Sequence, residues 1–171
     1  KENLFRFQKP NEADPVLSVF SAEDPVTIEM SLNYRDQAGR KCVTFGANDV
    51  PEGLADKFPL AGRMNLLNLA AAITVARHLG ITYKTIEESI VDFQSLPHRL
   101  ERVAEINGVR WYDDSIATTP VSAIAALDSF DAPKIIIAGG YDKNIPFAEL
   151  GEKIALAAKA AILIGQTADK I

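Results

Sequence analysis

Apolar and polar positions alternate from Leu100 to Ile106, break at Asn107-Gly108 and resume from Val109 to Tyr112. Asn followed by Gly suits the positive φ angles of a two-residue turn, so the pattern predicts an antiparallel hairpin. Residues 134–138 and 160–164 have a different rhythm, short runs apolar on both faces, as parallel strands covered by helices are. Gly139-Gly140 breaks the first run and Gly165 ends the second. Helical spacing fills the intervals. Thr119 suits an N-cap and Pro120 the first helical position, ahead of an inward stripe of Val121, Ile124, Ala125 and Leu127. Pro146 opens a second helix in which Phe147, Leu150, Ile154 and Ala157 recur on one side. Right-handed crossovers between parallel strands then predict an α/β fold whose segments after Tyr112, Ala138 and Ile164 all leave the sheet at one edge.

The first part of the chain predicts strands at 16–20, 26–32 and 41–45, separated by turns at 22–25 and 36–39. Leu66, Leu67, Leu69, Ala70, Ile73, Val75, Ala76 and Leu79 predict a strongly apolar helix ended by Gly80, which calls for burial between a sheet and a neighbour. Thr82 then caps a shorter helix with Ile86, Ile90 and Phe93 inward, ended by Leu96-Pro97.

Composition narrows the function classes. The chain has 171 residues, 47% of them hydrophobic, enough for one core or two small ones. A net charge of -5 without clustered Lys or Arg offers no footprint for nucleic acid. Cys42 is the single cysteine, so no internal disulfide forms and a reducing, cytoplasmic setting is expected. No apolar run reaches the length of a membrane span, and residues 1–10 carry no signal-peptide core.

The chemistry concentrates after the hairpin. Asp113-Asp114-Ser115-Ile116-Ala117-Thr118-Thr119-Pro120 sets two carboxylates and three hydroxyls between a strand end and a helix start, where α/β proteins build ligand sites. Asp114 is placed to accept from both hydroxyls of a ribose, whereas Asp113 serves the turn; Ser115 and Thr118 either meet a substrate or only close the turn. Asn65 and Asn68 lie three apart at the start of a helix and share a face. They read either as an N-cap and a solvated amide or as a pair facing a purine edge, which an amide can both donate to and accept from. Arg99 follows Pro97 as a surface arginine or as a guanidinium that grips a nucleotide. His98 reads as structural, with no second metal ligand in its neighbourhood. Lys143 sits in the loop after Gly139-Gly140, solvated or aimed at an anion.

Four passages together resemble the Mur ligases of peptidoglycan synthesis, in the branch that adds D-glutamate. They are Leu60-Ala61-Gly62-Arg63-Met64-Asn65-Leu66-Leu67-Asn68, then Leu96-Pro97-His98-Arg99-Leu100-Glu101, then the run from Asn107 to Thr118, and last Gly139-Gly140-Tyr141-Asp142-Lys143. The resemblance implies a three-domain, monomeric, cytoplasmic enzyme. Residues 1–96 then correspond to the second half of the ATP-binding central domain. Residues 97–171 correspond to the first part of a Rossmann-like C-terminal domain with a largely parallel sheet. It also implies an ATP-dependent ligase that phosphorylates the carboxylate of UDP-N-acetylmuramoyl-L-alanine and lets the amine of D-glutamate attack the acyl phosphate, with Mg2+ as cofactor. Asn65, Asn68, Arg99 and Asp114 take ATP-binding positions in that scheme, and Ser115, Thr118 and Lys143 take substrate positions. No Gly-x-x-Gly-Lys-Ser/Thr loop occurs in this sequence, so the phosphate chemistry, the metal ligands and the catalytic residues are expected elsewhere. Ile116 and Thr119-Pro120 depart from the family, many of whose members have lysine and asparagine there. Another Mur-type or folylpolyglutamate-type ligase, and a non-catalytic nucleotide-binding module, are the alternatives.

Overall fold

A computed structural model describes residues 5, 7–13 and 15–171. Two compact units emerge, Lys1–Pro59 with Asn65–Asp92 and Leu60–Met64 with Phe93–Ile171.

In the first unit, β1 (Val16–Ser21) and β2 (Arg40–Phe45) pair in parallel, with Val16 opposite Arg40 and Ser21 opposite Phe45. The strand predicted between them is absent, because residues 26–32 lie inside helix α1 (Pro25–Tyr34). Asp24 decides this. Its Oδ1 accepts the N–H groups of Val26 at 2.8 Å and Thr27 at 3.3 Å, and Pro25 fills a first position that needs no N–H. Two parallel neighbours also require a crossover, which a third strand in the gap could not supply. The strict alternation therefore winds around a helix, leaving Val26 63% and Leu32 51% exposed while Ser31 is buried. Asp24→Ala should cost about 1 kcal/mol, read as a lower urea midpoint at unchanged slope. A midpoint that stays put would remove the cap from this account.

Helices α2 (Glu52–Ala55), α3 (Arg63–His78) and α4 (Tyr83–Ile90) build the core of this unit. Leu69, Ala70 and Ile73 of α3 pack with Val50, Leu54, Ile86 and Ile90. Thr82 caps α4 as predicted, its Oγ1 accepting the Thr85 N–H at 3.2 Å, but Phe93 is 52% exposed rather than inward. Burial of α3 on two sides is not found either. Leu79 is 73% exposed, and Val75 and Leu79 line an open apolar groove with Val19 and Phe45. Arg40, which hydrophobic periodicity gives no reason to bury, ties the sheet together. Its guanidinium donates to Ser18 Oγ at 2.6 Å, Gln8 Oε1 at 3.0 Å and Gln37 Oε1 at 2.8 Å, and lies over the rings of Phe5 and Tyr34. A buried cation needs such a full set of acceptors.

In the second unit, β3 (Glu101–Ile106) and β4 (Val109–Asp113) form the expected hairpin. Asn107 at φ 52° and Gly108 at φ 77° make its turn. Helix α5 (Pro120–Leu127) starts where predicted, with Thr119 Oγ1 accepting the Ser122 N–H at 3.3 Å. Leu127 is buried, but Val121 is 70% exposed and so falls outside the inward stripe. β5 (Ile135–Gly140) and β6 (Ala160–Gly165) pair in parallel, and α6 (Ala148–Ala157) packs against α5, beginning two residues after the predicted Pro146. Gly139-Gly140 does not break β5 but forms its last two positions. A Cβ on Gly139, at φ 130°, would stand 2.0 Å from the Ile164 carbonyl oxygen, so only glycine lets β6 approach there.

The single sheet edge shared by three strands is not seen. Among the described residues β4 pairs only with β3, and β5 only with β6. Hydrophobic period found β3 to β6, but which strand lies beside each depends on the hydrogen-bond partners that the folded chain supplies.

Candidate functional site

The segment 96–101 and the segment 113–118 are stitched into one structure. Arg99 N–H donates to the Leu96 carbonyl at 3.2 Å, closing a β-turn with Pro97 at its second position and His98, at φ 65°, at its third. That is the pattern of a type II turn, whose third residue is ordinarily glycine or asparagine. The Leu100 N–H donates to Asp114 Oδ1 at 3.0 Å, and the Ile116 N–H donates to the His98 carbonyl at 3.2 Å. His98 N–H donates to Glu101 Oε2 at 2.8 Å, and the His98 imidazole Nδ1 lies 2.7 Å from Asp113 Oδ2. Asp113 Oδ1 meanwhile accepts the Ser115 N–H at 2.9 Å, so Asp113 does serve the turn.

Charge follows this wiring. The hydrogen bond to His98, and after it those from Ser115, hold the Asp113 carboxyl down at about 2. The same bond and the negative charge of Asp113 raise the His98 pKa. Asp114 moves the opposite way from its neighbour. Half-burial raises its carboxyl, and the Leu100 N–H and the nearby Arg99 charge offset only part of that rise. One oxygen of Asp114 is thus taken by a backbone N–H, and a carboxylate with roughly four lone-pair sites keeps capacity for a ligand hydroxyl.

The expectation that His98 has no potential co-ligand is overturned. Glu101 and Asp113 each bring an oxygen so that the three ligand atoms lie within 4.8 Å of one another. Closure of the hairpin brings together residues as many as 15 positions apart, which linear spacing could not reveal. These atoms are already spent on hydrogen bonds with each other and with the His98 backbone, so the trio is a hydrogen-bonded clasp. It does not suit Mg2+, which needs near-ideal octahedral oxygen ligands.

Outside the clasp itself, the candidates are Ser115, Thr118, Lys143, Asn65 and Asn68. Ser115 and Thr118 are exposed, with the Thr118 N–H donating to the Ile116 carbonyl at 2.9 Å. Lys143 is exposed in the loop after β5. Around it the loop is shaped by Asp142, whose Oδ1 accepts the Asn144 N–H at 2.8 Å and whose other oxygen pairs with Lys170, lowering its pKa. Asn65 and Asn68 belong to α3 in the first unit. The helix starts at Arg63, so Asn65 is its third residue and not an N-cap; Asn65 is buried and Asn68 is exposed.

A hairpin feeding a cross-linked acidic turn and then a parallel βαβ crossover defines the class when set beside known proteins. Residues 98–171 match the family model described as Mur ligase, glutamate ligase domain, and the chain belongs to the Mur ligases. More particularly, it is 34% identical over 186 residues to the UDP-N-acetylmuramoylalanine--D-glutamate ligase of Symbiobacterium thermophilum, an alignment covering 100% of this chain and 41% of that protein. To the ligase of the same name from Roseiflexus sp. it is 41% identical over 197 residues, covering 98% of this chain and again 41% of the relative. The chain thus spans about two-fifths of the length of these relatives. Its fold superposes on the UDP-N-acetylmuramoylalanyl-D-glutamyl-2,6-diaminopimelate--D-alanyl-D-alanyl ligase of Acinetobacter baumannii with a TM-score of 0.72 at 20% identity, covering 99% of this chain and 42% of that one. The MurF ligase of Thermotoga maritima, solved in complex with ADP, superposes at 0.68 and 20% identity, covering 92% and 42%.

Proposed function

We propose that this chain is the adenosine- and amino-acid-handling part of an ATP-dependent ligase that joins D-glutamate to UDP-N-acetylmuramoyl-L-alanine in the cytoplasm. The observation that carries the reading is identity of 34% and 41%, along essentially all of this chain, to two ligases named for that reaction. The geometry adds that Arg99 and Asp114 are held in one cross-linked turn. In this reading the residues 1–96 end the ATP-binding central domain and 97–171 begin the C-terminal domain. Asn65 and Asn68 meet the adenine, Asp114 accepts from the ribose, and Arg99 grips the nucleotide. Ser115 and Thr118 contact the incoming substrate, and Lys143 holds a carboxylate of D-glutamate as a point charge.

The reaction runs through two bond exchanges. The muramoyl-alanine carboxylate oxygen attacks the γ-phosphorus of ATP and ADP leaves. The amine of D-glutamate then attacks the acyl carbon, phosphate departs, and the amine gives up a proton as the amide forms. This chain contributes binding and orientation, and none of its residues is assigned to phosphate transfer or to Mg2+. The test is release of ADP and phosphate by the complete ligase containing this chain, with UDP-N-acetylmuramoyl-L-alanine and a panel of amino acids and dipeptides. D-glutamate should support turnover best. Turnover driven by another amino acid, a D-alanyl dipeptide or a folyl acceptor would move the chain to a sister activity, and nucleotide binding without turnover would make it a binding module.

A further inference from the structure

His98 occupies a backbone position that favours glycine, and yet its imidazole makes a specific contact while staying 62% exposed. At φ 65° in the third place of the turn, a residue with a Cβ is strained, and glycine or asparagine would relieve it. What the histidine contributes in return is the 2.7 Å contact of its Nδ1 with Asp113 Oδ2. The contact joins the residue before Arg99 to the residue before Asp114. On either side of it run the Ile116 N–H to His98 carbonyl bond and the Leu100 N–H to Asp114 Oδ1 bond, both of which depend on the two segments keeping register.

We propose that His98 and Asp113 form a positioning couple that holds the Arg99 guanidinium and the Asp114 carboxylate in the mutual arrangement a nucleotide requires. The inference rests on the reading of Arg99 and Asp114 as nucleotide contacts. His98 and Asp113 touch no reacting atom and act through their neighbours. The charged groups around the couple are Glu101, which accepts the His98 N–H, and Arg99 and Asp114, which flank its two members in sequence. Asp113 and Glu101 both favour the imidazolium, so the charge-assisted form of the contact is present below the raised His98 pKa and weakens as pH rises through it.

The experiment uses the complete ligase with His98→Gly, Asp113→Asn and, as a reference, Arg99→Ala. Glycine relaxes the turn while removing the imidazole. The KM for ATP should nonetheless rise by about fivefold or more, with the KM for the amino acid unchanged. Asp113→Asn keeps an oxygen for the Ser115 N–H but removes the charge. The His98 titration followed by NMR should therefore fall toward the ordinary value near 6.5, and the alkaline loss of kcat/KM for ATP should move to lower pH with it. An unchanged ATP KM in His98→Gly, against a raised one in Arg99→Ala, overturns the couple and leaves the nucleotide reading intact. Unchanged values in both variants overturn the two together. A His98 titration that ignores Asp113→Asn overturns the pairing itself.

Discussion

Lys143→Ala in the complete ligase should raise the KM for the amino acid by about tenfold or more, because a charge-assisted contact is worth about 1.5 to 3 kcal/mol. The KM for ATP should barely change. The lysine is exposed in a loop whose shape is set by Asp142, through its bonds to the Asn144 N–H and to Lys170, so its removal leaves the loop's own hydrogen bonds in place. The variant therefore reports on the ligand contact and not on folding. An amino-acid KM that holds in a folded variant would make Lys143 a solvated loop lysine, and a selective rise for ATP would assign it to the nucleotide. Ile116 sharpens the test. Where the family resemblance leads one to expect lysine this chain has Ile116, and a site with one cation fewer should lean more heavily on Lys143.

Asp114→Ala should weaken ATP use by about 1.5 to 3 kcal/mol, roughly tenfold to a hundredfold in kcat/KM for ATP, if its carboxylate accepts from the ribose. Arg99→Lys should fail to restore full turnover, since an ammonium cannot reproduce the planar fork of a guanidinium. The pH dependence carries its own sign. Half-burial raises the Asp114 carboxyl, so its charged form begins to be lost at a higher pH than for an exposed aspartate as the solution is acidified. The acid limb of kcat/KM for ATP should sit correspondingly high in the wild type and vanish in Asp114→Ala. Unchanged ATP kinetics in that variant would leave the Leu100 N–H as the carboxylate's whole role.

Signals confined to a few consecutive residues were enough for much of this chain. Asn107-Gly108 specified the hairpin turn, Thr119-Pro120 and Thr82 specified two helix starts, and the doubly apolar runs specified β5 and β6, because each depends on backbone preferences and on neighbours within one turn. The loop positions of Asp114 to Thr118 and of Lys143 are legible for the same reason, while the ligand roles given to Asp114, Ser115, Thr118 and Lys143 come from the family resemblance. Asp24-Pro25 was also a local signal, a helix start that the alternation of Val26 to Leu32 masked. Other features needed the folded chain. Periodicity says which residues share a face but not what covers it, so Asn65 is buried and Asn68 exposed three positions apart, and Val121 and Leu79 face outward. The clasp of His98, Glu101 and Asp113 exists only once the hairpin has closed and carried an aspartate back beside a histidine 15 residues earlier, a proximity that chain order does not encode and that hydrogen-bond geometry alone makes.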